Sequence, residues 1–510
     1  MKILLVMPAP FEPGRLGLEN VLWLSEPVAL TSLAAMVPNH EVRILDMRLE
    51  PDMELNRVLL EFRPDIVGTT SMTTDCYQAK AVLQLAKGVL GPNCFTIVGG
   101  HHPTLAPGDF YDQAVDALCI GEGELTFLEL VSHLQRGKSK TDLAHIPGLQ
   151  FRKETGEYAT SPKRSQNWEL EKFPLPARHL IPVRYRQEYF FCTANPMASI
   201  ETSRGCSYNC NFCAIWEFYE RKTRFLSAGA ICDRLETIPE KFVFFLDDNF
   251  LTKKSRLEAL CDEIQKRRIK KYFGIQGRSD FVAENPDLMR RLRDAGLMMV
   301  LSGFESNDDN ALEALRKDST RNQNKEAAKI LRRLGIVSTG IFMVRQDFEE
   351  ADFDRLFETI NEMGIAIPLV TILTPLPGTE LWRKREKDLL TKDIRLFDLL
   401  HSVLPTKMPR EMFYARYTQW HRATLPGVRK GIFAAVFRRP KLFLWDGISG
   451  VAHYIKKIRH YAPIIANPFN HLRDEIGIID QSVTLSTLPP EPPLLNQHLD
   501  SAPGMTHACA

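Results

Sequence analysis

Short apolar runs, each stopped by a polar or glycine-rich turn, recur through the first 140 residues and constrain this chain more than any other feature. Ile3–Met7 runs into a Pro-rich loop, and Glu41–Leu45 stops at Asp46. Ile66–Thr70 stops at Ser71, Phe95–Val98 at Gly99-Gly100, and Ala117–Ile120 at Gly121-Glu122-Gly123-Glu124. Helical patterns such as Tyr77–Leu90 fall between them. Continuous apolar strands alternating with helices predict a parallel, doubly wound α/β sheet buried on both faces. Ligands of such sheets lie beyond the carboxyl ends of the strands, where these Gly, Ser and Thr residues sit.

Residues 141–195 read as a connector, with turn signals at Thr155-Gly156, Asn167, Pro174 and Pro176 and little periodicity. From 196 the alternation resumes. Ser199–Thr202, Phe242–Leu246, Tyr272–Gln276, Met298–Ser302, Val337–Val344 and Leu369–Leu373 make six βα-like units, up to about residue 385. Six units predict a partial barrel rather than a closed eightfold one. Residues 386–470 read as mainly helical, and 471–510, polar and Pro-rich, as a mostly disordered tail.

Composition narrows the class. The chain has 510 residues, 44% hydrophobic and 25% charged, enough for about three ordinary domains. A formal net charge of +2 gives no reason to expect nucleic acid as partner. Ten cysteines are scattered, and only three cluster. Nothing in their spacing resembles a secreted disulfide framework, and no run of about 18 apolar residues occurs. The expectation is a cytoplasmic protein with reduced thiols.

The three clustered cysteines form Cys206-Ser207-Tyr208-Asn209-Cys210-Asn211-Phe212-Cys213, a CxxxCxxC loop directly after a strand and opened by Arg204-Gly205. A [4Fe–4S] cluster normally takes four cysteines, so three leave one iron open. Soft thiolates also suit zinc, but zinc wants a fourth ligand, and the next 18 residues hold neither Cys nor His.

This loop resembles the signature of the radical S-adenosylmethionine (SAM) superfamily. The resemblance implies that the open iron is chelated by SAM and that Phe212 packs beside its adenine. It also implies that Asp247 and Asp248 stand near the SAM amino group, that Gln276 and Arg278 meet ribose or carboxylate, and that Glu305 closes the fourth strand at the same rim. Taken singly, each acidic residue could equally be a helix cap or turn residue.

The preceding sheet lacks GxGxxG in its first turn, which argues against a dinucleotide. Placed before such a barrel, it resembles the cobalamin-binding domain of the cobalamin-dependent subclass. Asp65-Ile66-Val67-Gly68, Val98-Gly99-Gly100-His101-His102-Pro103-Thr104 and Ile120-Gly121-Glu122-Gly123-Glu124 carry the likeness. It implies a cofactor site of Thr70, Ser71, Gly99, Gly100, His101, Gly121 and Glu122. Gly99 and Gly100 would let backbone approach the nucleotide tail, and Thr70 and Ser71 would donate to it. The DxHxxG motif that supplies a cobalt ligand elsewhere is missing, so His101 and His102 are read as loop and pocket residues, not ligands. The competing reading is a domain that keeps the fold without the cofactor.

Residues 425–461 hold eight Lys or Arg and one acid, Asp446, interleaved with Ile432-Phe433, Val436-Phe437 and Leu442-Phe443-Leu444-Trp445. This suits either a packed helical subdomain with a solvated basic face or a peripheral contact with the inner face of an anionic membrane.

Together the two domains resemble the cobalamin-dependent radical SAM methyltransferases over about residues 1–390. The resemblance implies methylation of an unactivated carbon through methylcobalamin and a 5′-deoxyadenosyl radical, with an external one-electron reductant and a small-molecule or lipid substrate. Total length, the basic stretch and Glu19-Asn20-Val21-Leu22-Trp23-Leu24-Ser25-Glu26-Pro27 resemble hopanoid C-3 methylases. Oxidative cyclases share the domain pair and form a ring instead. A non-catalytic cobalamin or iron–sulfur sensor is the reading from another class.

Overall fold

The computed structural model describes residues 1–9 and 23–420, apart from six positions, and part of 467–475. The basic stretch 425–461, the tail beyond 478, Asn167 and Glu19–Leu22 of the opening motif lie outside the described residues.

Five parallel strands build the first sheet: β1 (Lys2–Met7), β2 (Glu41–Asp46), β3 (Ile66–Thr70), β4 (Phe95–Gly99) and β5 (Ala117–Cys119). Their order is β2-β1-β3-β4-β5, so the winding reverses between β1 and β3 and leaves a crevice there. Alternate side chains point to opposite faces, and β1 shows the result. Leu4 and Val6 pack with Leu59, Val67 and Leu83 on one side, while Ile3 and Leu5 pack with Leu30, Ile97 and Phe127 on the other. That double burial is why these strands read as unbroken apolar runs. The intervening helix Cys76–Leu90 buries Ala79, Val82, Leu83 and Ala86, a single helical stripe.

The connector is more ordered than its sequence suggests. Leu149–Arg152 (β6) and Tyr158–Thr160 (β7) extend the sheet as an antiparallel hairpin beyond β5. The turn signal Thr155-Gly156 is the hairpin turn, where Gly156 has φ +88°. Strands this short carry too few residues for alternation to stand out.

The second sheet is six-stranded, all parallel and in sequential order: β8 (Met197–Ile200), β9 (Phe242–Phe245), β10 (Tyr272–Gln276), β11 (Leu297–Glu305), β12 (Val337–Val344) and β13 (Ile367–Ile372). It is the expected partial barrel. Its helices have clear boundaries. Arg321–Leu334 opens with a Thr320/Gln323 capping box and closes at Gly335 in the left-handed region. Residues 386–409, expected to be helical, contain only two short 3-10 turns. The reason is packing: Ile394, Leu396, Phe397 and Val403 return to the core of the first sheet as an irregular strap. Residues 410–420 are helical. No helix among the described residues is long and apolar enough to cross a membrane.

Candidate functional site

Strand β8 delivers the chain into the cysteine loop, and a two-residue antiparallel pairing closes the loop at its base. Ser203 pairs with Phe225 and Arg204 with Arg224. Gly205 follows with φ +89°, and a Cβ there would sit 2.1 Å from the Lys222 carbonyl oxygen, so only glycine fits. Two consecutive carboxylates brace this base. Asp247 accepts from the Thr202 N–H and hydroxyl, both at 2.6 Å, and from the Ser203 hydroxyl at 2.5 Å. Asp248 accepts from the Gly205 N–H at 2.8 Å. Burial, aided by Glu201 and Asp247, pushes the Asp248 carboxyl up to about 7.

The loop itself is clasped from outside. The Asn211 N–H donates to the Leu315 carbonyl, its side-chain amide to Ala314, and the Leu381 N–H to the Asn211 carbonyl. Phe212 packs against Leu315, Met343, Leu373 and Leu381 near the ends of β12 and β13. Cys210 is buried, Cys206 and Cys213 partly so. Burial raises all three thiols, Cys213 to about 12. Making thiolates of them therefore needs nearby positive charge, which iron would supply. Two cations already face Cys210 and act in that direction: Lys317 and Arg278, whose Nη1 is 3.9 Å from the Cys210 sulfur. No group of three His, Cys, Asp or Glu among the described residues is gathered closely enough for a single metal ion.

Arg278 also pairs with Asp280 at 2.9 Å and lies over the Tyr208 ring at 3.6 Å. Lys317 is buried against Glu305, Nζ to Oε1 2.7 Å, and Glu305 itself holds φ +62°.

Across the interface lies the crevice of the first sheet, a cavity of about 330 Å³. Leu5, Leu30, Leu33, Ile97 and Phe127 make its inner wall, and Thr70, Gly99, Gly100, His101, Gly121 and Glu122 its rim. Its opposite wall is Glu201, Arg204, Phe218 and Tyr219, from the cysteine loop and its base. The apolar inner wall and the hydrogen-bonding rim suit one part of a large cofactor that joins an apolar face to polar edge groups. The His101 ring stacks on Phe218 with centroids 4.4 Å apart, and burial lowers its pKa to about 4.

Several expected roles change on this geometry. Asp247 is fully buried and spends its oxygens on Thr202 and Ser203; it braces the loop and does not face the SAM amino group. Ser71 is fully buried with its hydroxyl bonded to Asp75 at 2.9 Å, so it does not donate to a nucleotide tail. Gly100 has φ +107°, and its missing Cβ makes room for Ser71 and Thr70, 2.7 Å away, rather than for a ligand. His102 turns from the cavity and bonds Asp109 at 3.0 Å. Gln276 sits half-buried at the end of β10, its side chain without a hydrogen bond among the described residues.

Sequence reading missed Lys317, Arg224 and the guanidinium of Arg204. Arg204 bonds Glu122 at 2.8 Å, Glu124 at 2.5 Å and Glu201 at 2.8 Å. Glu201 lies only three residues before Arg204, but Glu122, which joins Arg204 to Arg224, is 82 and 102 residues away, and no local signal marks that meeting.

Known proteins fit this arrangement. Residues 14–131 match the B12 binding domain and residues 200–380 the Radical SAM superfamily. The chain is 30% identical to the hopanoid C-3 methylase of Methylococcus capsulatus, over 96% of this chain and 92% of that protein. It is 26% identical to an anaerobic magnesium-protoporphyrin IX monomethyl ester cyclase of Rubrivivax gelatinosus, over 70% of this chain and 64% of that protein. In fold it matches the cobalamin-dependent SAM radical enzyme OxsB, with a TM-score of 0.64 and 16% identity over 93% of this chain and 80% of that one. The two matched domains in this order, with 30% identity across nearly the whole of both chains, place the chain in the cobalamin-dependent radical SAM methyltransferases, whose cofactors are a [4Fe–4S] cluster, SAM and cobalamin.

Proposed function

We propose that this enzyme methylates an unactivated carbon of a polycyclic lipid of the hopanoid class, at C-3. The observation that carries this is the end-to-end likeness to a hopanoid C-3 methylase, which spans both domains and the region C-terminal to them.

The bound cofactors supply hydrogen-atom abstraction and a methyl group; the chain supplies placement. Cys206, Cys210 and Cys213 would hold the cluster, with the loop locked at its base by Asp247 and Asp248. Arg278 and Lys317 offer the cationic charge that a SAM carboxylate needs, and Phe212 an apolar face. Thr70, Gly99, His101 and Gly121 rim the cobalamin crevice. Neutral His101, packed on Phe218, joins the rim of the crevice to its barrel-side wall. A saturated lipid offers no polar handle for acid–base chemistry, so positioning is what the protein has left to contribute. An external one-electron donor and a membrane contact through 425–461 belong to the same reading.

Anaerobic incubation of the reconstituted enzyme with desmethyl hopanoid, reductant and methyl-labelled SAM is expected to give one labelled methyl at C-3. A product lacking the label and two hydrogens poorer would favour the second reading, oxidative ring closure, which the likeness to the cyclases supports.

A further inference from the structure

Glu122 stands where the two halves touch, and its two oxygens are used unequally. Oε1 accepts from Arg204 Nη1 at 2.8 Å and from Arg224 Nη2 at 2.7 Å. Oε2 is buried, without a hydrogen-bond partner, in a side chain that lines the crevice. A buried carboxylate oxygen left unpaired is costly, and a ligand donor would repair it. Arg204 and Arg224 are partners in the pairing that closes the cysteine loop, so Glu122 grips both feet of that loop at one atom. The side chains of Glu122, Arg204 and Arg224 are at most 15% exposed, which keeps these bonds out of solvent screening.

We infer that Glu122 is a joint between the two cofactor sites: one oxygen positions the cysteine loop through Arg204 and Arg224, and the other accepts from a peripheral amide of the corrinoid. It is a positioning residue for the cluster and a binding residue for cobalamin, and the inference rests on the cobalamin assignment. A cluster holds the loop and its feet in one arrangement, so Glu122 meets the corrinoid already oriented. Linkage makes the effect reciprocal: whatever the ordered loop adds to cobalamin affinity, cobalamin adds to the ordered loop.

Arg224 allows a clean test, because it bonds Glu122 without lining the crevice. Hydroxocobalamin is titrated anaerobically, by corrin absorbance, into the full-length cluster-loaded protein and into the Cys206→Ala/Cys210→Ala/Cys213→Ala variant. Cluster-loaded protein is expected to bind about 5-fold tighter or more. In the Arg224→Gln background that difference is expected to shrink, because only Arg204 still ties Glu122 to the loop. Arg224→Lys keeps charge without the planar fork and is expected to keep only a fraction of it. A full difference in both Arg224 variants, or none in the unmodified pair, overturns the joint. Failure of the unmodified protein to bind hydroxocobalamin at all overturns the cofactor assignment beneath it.

Discussion

The crevice of the first sheet and the rim of the barrel both lie at the carboxyl ends of parallel strands, yet they are built from opposite materials. Apolar side chains and backbone make the inner wall of the crevice, Leu5, Leu30, Ile97, Phe127 and Gly99, and charge enters it only on the side that meets the barrel. Buried charge lines the rim: Arg278 with Asp280, Lys317 with Glu305, Arg256 with Asp247. The difference reflects the cargo of each. A large cofactor body is gripped by removing apolar surface from water. Buried thiolates and a charged cosubstrate must be met by fixed opposite charge in a dry site. The first strategy tolerates small changes in shape; the second fails when one partner of a pair is removed.

That contrast can be broken at chosen points. Replacing any of Cys206, Cys210 or Cys213 by Ala is expected to abolish iron loading and product together, read by iron and sulfide content, while the Tm of the apoprotein moves little. Lys317→Met leaves Glu305 buried and unpaired and should cost about 3–5 kcal/mol in urea unfolding of the barrel. Lys317→Met/Glu305→Leu should recover much of that. No recovery would mean that the pair is not the source. Gly100→Ala forces a side chain into a left-handed conformation against Ser71 and Thr70, for about 1–3 kcal/mol; cobalamin capacity should fall with it, by absorbance titration.

The smallest effect at neutral pH concerns His101. Its folded pKa, about 4, lies below the ordinary 6.5. The unfolded chain therefore takes up the proton first, and stability is full above pH 6.5 and lost as pH falls toward 4. His101→Phe keeps a ring on Phe218 and should flatten the Tm between those pH values. Equal acid slopes in both proteins would show that the ring titrates freely in the folded state.

Legibility in the sequence divides along the same line as the two regions. The crevice was readable because its signals are local: an apolar run such as Ile66–Thr70 is a strand, and the Gly or Thr that ends it is at the rim. The cysteine loop was readable because three thiols within eight residues share one geometry. The charged rim was mostly not. Asp247 sits at a strand end like a ligand-binding residue, but its oxygens go to Thr202 and Ser203, 45 and 44 residues earlier. Glu122 and Arg204 lie 82 residues apart, and Lys317 belongs to no pattern at all. The hairpin Leu149–Thr160 escaped because its strands are too short to show a period.

What the sequence determined by itself is therefore the order of two strand–helix domains, the direction in which their strands end, and the loop that takes a cluster, since these depend on residues within one or two turns of each other. Only the tertiary structure decided that the two strand-end rims face one another, that Glu122 reaches across to Arg204 and Arg224, and which carboxylates brace the loop. A buried charge takes its meaning from whichever partner packing brings within hydrogen-bond distance, and that distance is not written in the chain order.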